Sequence, residues 1–155
     1  YGNKPVDNAP CPPTSLKSVP PGDGPDQFSI VHAIRVSHDG MVYVADRENR
    51  RVQAFTVDGK FVKQVIRQAS PFARNVALSH DPEQQFLYVG DEKEIVVLNR
   101  KTMEILTTIQ GGGLIGGGHE LQTDSKGNIY VALTTRGLQK LTFKGLSKGV
   151  ASAAR

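Results

Sequence analysis

A threefold internal repeat constrains the fold of this chain more than any other feature of its sequence. Tyr43, Tyr88 and Tyr130 each lie in a β-rich stretch that follows a turn, and the intervals between them are 45 and 42 residues. This period is typical of a four-stranded β-propeller blade. Each repeat opens with a short alternating strand and continues, after the tyrosine, into a third strand. The sequence therefore predicts an all-β fold built of consecutive antiparallel blades.

The repeat also predicts where the strands and blades lie. Third strands are expected at 51–55, 95–98 and 137–143, and outer strands at 61–66 and 104–109. Helix is expected to be nearly absent because no long stretch has a 3.6-residue period. Seven of the nine prolines fall in residues 1–27. The predicted organisation is an extended Pro-rich connector at 1–27, blades at 28–70, 71–112 and 113–146, and a disordered tail at 147–155.

Three blades make about half of a propeller ring. Closed propellers usually have four to eight blades, because each blade buries its faces against two neighbours. An arc of three blades leaves two apolar faces open. The chain is therefore expected either to be part of a longer protein, with six blades in the ring, or to associate with a second copy of itself.

Charge and apolar patterning exclude several classes of protein. The net charge of +4 comes from dispersed Lys and Arg, and no known reader motif is present, so nucleic-acid binding is not expected. No segment approaches 18 consecutive apolar residues, which excludes a membrane span. Cys11 is the single cysteine, so no disulfide forms within the chain. The glycine run at 111–118 lacks the Lys-Ser/Thr of a phosphate loop and is interpreted as a flexible crossover between blades.

Histidines recur at one position of the repeat. His32 and His119 each lie 11 residues before the tyrosine of their blade, and Arg74 occupies the aligned position in the blade between them. Equivalent positions lie on one ring around the central channel, so these side chains are expected at the same axial opening. In a six-bladed ring, a third histidine from another blade would complete a set of three, which suits a catalytic zinc.

The alternative is that these histidines are structural. A histidine at the start of a strand commonly bonds to a neighbouring loop instead of a metal, and spacing alone does not separate the two interpretations. His38 and His80 fall in or beside the hairpin turns and are expected to face solvent.

The connection after the second strand of the first blade contains three further candidates. Asp46 and Asn49 have short side chains that satisfy backbone N–H groups in a tight connection. Arg47 lies at the mouth of this connection, where a guanidinium binds a carboxylate or stabilises a developing anion. A surface ion pair with Glu48 or Asp46 is the structural alternative for Arg47.

Three stretches resemble a known enzyme family. They are Phe28-Ser-Ile-Val-His32, Tyr43-Val-Ala-Asp-Arg-Glu-Asn-Arg-Arg-Val-Gln-Ala-Phe55 and Phe72-Ala-Arg-Asn-Val76. Together they resemble the catalytic domain of peptidyl-α-hydroxyglycine α-amidating lyase and its bacterial relatives with NHL repeats. The resemblance runs from Phe28 to about Gly145 and implies an NHL-type, six-bladed β-propeller of which this chain is the C-terminal half.

The resemblance implies a zinc and a calcium in the central channel, with a peptide or other small ligand bound there. It assigns His32 and His119 to two of the three zinc positions and Arg47 to the active site. Glu120 takes the place of the aspartate that contributes to the calcium site in the family. Other active-site groups of the family belong to blades that would precede Tyr1, so this chain is expected to be inactive alone.

Two functional classes therefore remain. One is a zinc-dependent lyase that cleaves a peptidyl-α-hydroxyglycine to a peptide amide and glyoxylate. The other is a non-catalytic NHL propeller that serves as a scaffold for a ligand or a partner protein. The residues at the N-terminus do not resemble a signal peptide, but the chain begins with Tyr1 and not Met, so export stays open. The family implied here favours a secreted or periplasmic parent protein.

Overall fold

A computed structural model describes residues 22–68, 72–91, 93–110, 118–134 and 136–145 of the chain. These residues form three antiparallel sheets and contain no helix, so none there is long and apolar enough to cross a membrane. The predictions for 1–21, 111–117 and 147–155 fall outside the described residues. In chain order, the strands are β1 Val31–Val36, β2 Met41–Asp46, β3 Arg51–Thr56, β4 Phe61–Ile66, β5 Asn75–Leu78, β6 Phe86–Gly90, β7 Glu94–Asn99, β8 Ile105–Gln110, β9 Glu120–Thr123, β10 Ile129–Leu133 and β11 Gly137–Leu141.

The all-β prediction is confirmed, and the observed strands lie close to the positions that the repeat predicts. Strands β1–β4 form the first sheet, β5–β8 the second and β9–β11 the third, each in sequential order. The outer strand β4 has the predicted bounds, and β8 begins one residue later than predicted. Val57 and Gly59 lie in the turn between β3 and β4, and Gly59 adopts a φ of 81° there.

The second sheet is buried on both faces. Leu87 and Val89 of β6 pack toward the first sheet, whereas Tyr88 packs toward the third. The same alternation along β7 sends Val96 toward the first sheet and Val97 toward the third. Because successive side chains of a strand point to opposite faces, a strand covered on both sides reads as a continuous apolar run. The middle blade therefore holds the other two together.

The three sheets meet along their first strands. Strand β5 contacts both β1 and β9, and it also contacts β2. The fourth strands of the first two sheets lie at the opposite, outer edge of their sheets. This arrangement, with first strands inside and later strands outside, is an arc of a β-propeller. We call the inner edge formed by β1, β5 and β9 the channel edge.

Residues 22–27 differ from the extended connector that their composition predicts. Gln27 donates its backbone N–H to the Gly24 carbonyl at 3.1 Å, which closes a turn. The guanidinium of Arg51 on β3 donates to main-chain carbonyls of this turn at Asp23, Gly24 and Gln27. A buried guanidinium requires acceptors for its N–H groups, and this turn supplies three of them. This part of the predicted connector is therefore packed on the first sheet.

Candidate functional site

The structure brings His32 and His119 into contact at one end of the channel edge. His32 is the second residue of β1, and His119 directly precedes β9. Their ring centroids lie 5.3 Å apart with the planes inclined by 68°. Two imidazoles bound to one tetrahedral zinc, with metal–nitrogen bonds of about 2.0–2.1 Å, have their centroids about 5 Å apart. The spacing therefore fits two ligands of a shared metal ion.

A hydrogen bond fixes which nitrogen of His32 is available. Its Nδ1 lies 2.5 Å from the carbonyl oxygen of Arg74. A carbonyl oxygen only accepts, so Nδ1 carries the hydrogen and Nε2 of a neutral ring keeps its lone pair. Metal-binding histidines usually donate their second N–H in this way. A structural histidine makes the same bond, so it is the proximity of His119 that favours the metal-site interpretation.

The described residues contain too few candidate ligands to complete a zinc site. A catalytic zinc normally has three protein ligands and one open position. Within the part of the chain that the structure describes, no group of three His, Cys, Asp or Glu side chains is placed to hold a metal. His32 and His119 therefore fit two of the three positions, and the third ligand would have to come from outside the described residues.

Backbone strain accompanies the start of each inner strand. Ile30, Ala73 and Gly118 have φ values of 54°, 66° and 55°, in the left-handed region. Ile30 is β-branched, and a positive φ is a genuine outlier for such a residue. At Gly118, a Cβ atom would approach the carbonyl oxygen of Ala132 to 2.6 Å, so glycine is required there. These turns bring each chain segment onto the channel edge directly before the candidate residues.

Arg47 lies at the same end of the first sheet as His32. Its backbone N–H donates to the carbonyl of Ile30 at 3.3 Å, two residues before His32. Its side chain is 30% exposed, and Nε donates to Glu48 at 2.8 Å. The guanidinium therefore forms the ion pair with Glu48 that the structural alternative for Arg47 predicts. It is also partly exposed to solvent, so it is able to bind an anion.

Glu120, the candidate calcium ligand, is engaged by an arginine. The guanidinium of Arg35, from β1, forms an ion pair with its carboxylate. Gln122 also donates to the same carboxylate oxygen at 3.3 Å. Arg74 directly precedes β5, and its main-chain carbonyl contacts His32. Sequence reasoning missed Arg35 because its partner is 85 residues away.

The remaining candidates lie away from the two histidines. His38 and His80 are exposed in the turns at the other end of the first and second sheets. At that hairpin end, a hydrogen bond from Arg100 is the main cause that lowers the pKa of Asp39 to about 2. In the third sheet's turn, hydrogen bonding by Asn128 likewise lowers the pKa of Asp124 to about 2. These carboxylates stabilise turns and take no part in the candidate site.

Asp46 and Asn49 satisfy backbone N–H groups, but those of the segment that leads into β1. Asp46 accepts from the Ser29 N–H at 2.8 Å, and Asn49 accepts from the Gly22 N–H at 3.1 Å. The other Asp46 oxygen binds Arg51 Nε at 2.7 Å, and both side chains of this pair are buried. The pair therefore positions the chain that carries His32.

Sequence comparison shows partial similarity to amidating enzymes. No family model matches the chain. It is 40% identical over 91 residues to peptidyl-glycine alpha-amidating monooxygenase of Mus musculus, covering 53% of this chain and 9% of that protein. It is 34% identical over 119 residues to peptidyl-glycine alpha-amidating monooxygenase B of Xenopus laevis, covering 69% of this chain and 13% of that protein. The chain thus spans only about a tenth of the length of these relatives.

Structural comparison supports the propeller fold. The chain superposes on Kuenenia stuttgartiensis hydrazine synthase with a TM-score of 0.60 and 17% identity, covering 86% of this chain and 36% of that one. It superposes on dihydro-heme d1 dehydrogenase NirN with a TM-score of 0.56 and 22% identity, covering 74% of this chain and 25% of that one. Both are propeller-type proteins. At these identities the likeness establishes the fold alone.

Proposed function

We propose that this chain is part of the propeller of an amidating-lyase-type enzyme, which cleaves peptidyl-α-hydroxyglycine to a peptide amide and glyoxylate. The observation that carries the proposal is the 5.3 Å spacing between the rings of His32 and His119. The partial similarity to amidating enzymes of mouse and frog supports it. The histidine pair concerns the packing of two blades, and the similarity to these relatives concerns the sequence.

In this proposal each residue has a defined task. His32 and His119 occupy two zinc positions, and the Arg74 carbonyl holds the His32 ring with Nε2 free to bind. A bound zinc would supply Lewis acidity toward a substrate oxygen. Arg47, partly exposed at the rim, binds the carboxylate of the hydroxyglycine or an anion that develops from it.

These 155 residues alone do not turn over the substrate. Two imidazoles leave a catalytic zinc one protein ligand short, so the third ligand is supplied by a further blade of the same ring. We accordingly place the chain in a longer, exported protein with a closed ring of six NHL-type blades. The bacterial affiliation that the sequence suggests stays a prediction.

The test measures glyoxylate release from a peptidyl-α-hydroxyglycine by the full-length protein. His119→Ala should abolish release, whereas His80→Ala, which changes an exposed turn histidine, should leave it unchanged. Arg47→Ala should lower kcat/KM by about 100-fold, the usual effect of removing a charge-stabilising donor. Arg50→Ala is the matched control, since Arg50 is exposed and its Nη1 donates to the Gln68 carbonyl at 3.0 Å.

Full activity in both His119→Ala and Arg47→Ala would contradict the proposal. That result, together with tight binding of a ligand to the intact ring, would identify a non-catalytic NHL propeller that acts as a binding scaffold.

A further inference from the structure

Arg35 links the first and third blades across the channel edge. It lies in β1, and its Nη2 donates to the Glu120 carboxylate and, at 3.4 Å, to the carbonyl oxygen of Leu121. Both acceptors belong to β9, in a sheet that has no strand paired with the first sheet. One guanidinium therefore holds a carboxylate and a main-chain carbonyl of the opposite blade.

The position of this guanidinium is fixed. Nη1 donates to the carbonyl of Ile34 on its own strand at 2.8 Å. Only 24% of the side chain is exposed, compared with 46% for Glu120. Because both Nη1 and Nη2 donate to acceptors, the charge of this guanidinium stays at one place in the channel, unlike that of a mobile surface arginine.

The acceptors of Arg35 are the oxygens that a calcium ion would require. Calcium binds carboxylate and main-chain carbonyl oxygens, usually six to eight of them. The calcium that the sequence resemblance implies at Glu120 would compete for the same carboxylate. A guanidinium and a divalent cation within about 4 Å of each other also repel strongly in a partly buried site. The residues present therefore do not fit a calcium ion at Glu120.

We propose that Arg35 is a built-in cation that takes the place of calcium in this channel. Its guanidinium joins the first and third blades through Glu120 and Leu121, so the arrangement of the blades does not depend on calcium. The inference is independent of the lyase activity, because neither Arg35 nor Glu120 is assigned to zinc or substrate.

Thermal unfolding of the 155-residue chain, with millimolar calcium or with a calcium chelator, tests this inference. The wild-type melting temperature should be the same in both conditions, because a ligand that does not bind the folded state does not stabilise it. Arg35→Met should melt about 2–4 °C lower in the chelator. Calcium should restore part of that loss, since the oxygens around Glu120 are then free. Adding Glu120→Gln to Arg35→Met removes the carboxylate and should abolish the calcium response.

Three results would overturn the inference. A saturable rise of the wild-type melting temperature with calcium that Glu120→Gln abolishes would place calcium at Glu120. An Arg35→Met variant that melts like wild type would show that the guanidinium does not link the blades. An Arg35→Met variant without any calcium response would show that the guanidinium does not occupy a cation position. If Arg35→Met does not fold, calorimetric titration of the wild-type chain with calcium decides alone, because heat of binding abolished by Glu120→Gln overturns the inference.

Discussion

Replacing Arg51 by Met should lower the free energy of unfolding by about 3–5 kcal/mol, the usual cost of leaving one member of a buried ion pair alone. Arg51 is 1% exposed and its partner Asp46 is 0% exposed. The substitution removes the positive charge but keeps most of the side-chain volume. The Asp46 carboxylate would stay buried with the Ser29 N–H and the Asn49 amide as its remaining partners.

The magnitude follows from the number of bonds that one guanidinium makes. Besides Asp46, Arg51 donates to the side chain of Gln64 at 3.1 Å and to three carbonyls of the turn at 22–27. All five of its N–H groups therefore have an acceptor. Methionine donates to none of these acceptors, so the turn loses its attachment to β3. Phe28, whose ring centroid lies 5.9 Å from that of Phe55, then becomes accessible.

Urea denaturation followed by circular dichroism measures the loss, and chymotrypsin cleavage after Phe28 reports the detached turn. Arg50→Met is the control, because Arg50 is exposed and donates to a single carbonyl at Gln68. It should cost less than about 1 kcal/mol. Equal stability of the two variants, with no increase in cleavage after Phe28, would refute the argument that the Arg51 pair anchors this segment.

Three further predictions concern acid stability, one glycine and the open faces. The pKa of Asp39 is about 2 in the folded state and about 3.9 in the unfolded state. The stability from its bond to Arg100 is therefore present above pH 4 and is lost as pH falls toward 2. Asp39→Asn should flatten the pH dependence of urea midpoints in that range. Gly118→Ala should cost more than about 1 kcal/mol in urea denaturation, because its Cβ meets a carbonyl oxygen at 2.6 Å in addition to the strain of its φ of 55°. Gly137→Ala should cost less, because at its φ of 92° the added Cβ is strained but meets no atom within 4 Å. The 155-residue chain should self-associate in light scattering, because its end blades leave apolar faces open. Val36 is a strand residue that is 58% exposed, and Val36→Lys should reduce the association. A monodisperse wild-type monomer would contradict this.

Most of the fold was predictable because the blade pattern is local. The third strands were expected at 51–55 and 95–98, and the structure extends each by only one or two residues. Alternating side chains and short turns lie within a few residues of each other, so the sequence shows them directly. The repeat also predicted that His32 and His119 share one ring position, because aligned positions of successive blades occupy equivalent places in space.

The contacts between distant segments were not predictable in this way. The Pro-rich composition of residues 1–27 predicts an extended connector. Arg51 nevertheless binds the last residues of this segment through the main-chain carbonyls of Gly24 and Gln27, which any sequence would offer. Arg35 and Glu120 are separated by 85 residues, and neither belongs to a motif. Pairings of this kind depend on side-chain rotamers and on how the blades turn relative to one another, which spacing does not reveal.

The shared site of His32 and His119 is tested most directly by zinc titration of the full-length protein against a chromophoric chelator. His32→Ala, His119→Ala and the double variant should lose the same stoichiometric high-affinity zinc, and the double variant should be no worse than either single one, because the ligands act as a unit. His38→Ala and His80→Ala should bind zinc like wild type. Undiminished zinc binding in both His32→Ala and His119→Ala would contradict the account and make the two histidines structural residues of the channel edge.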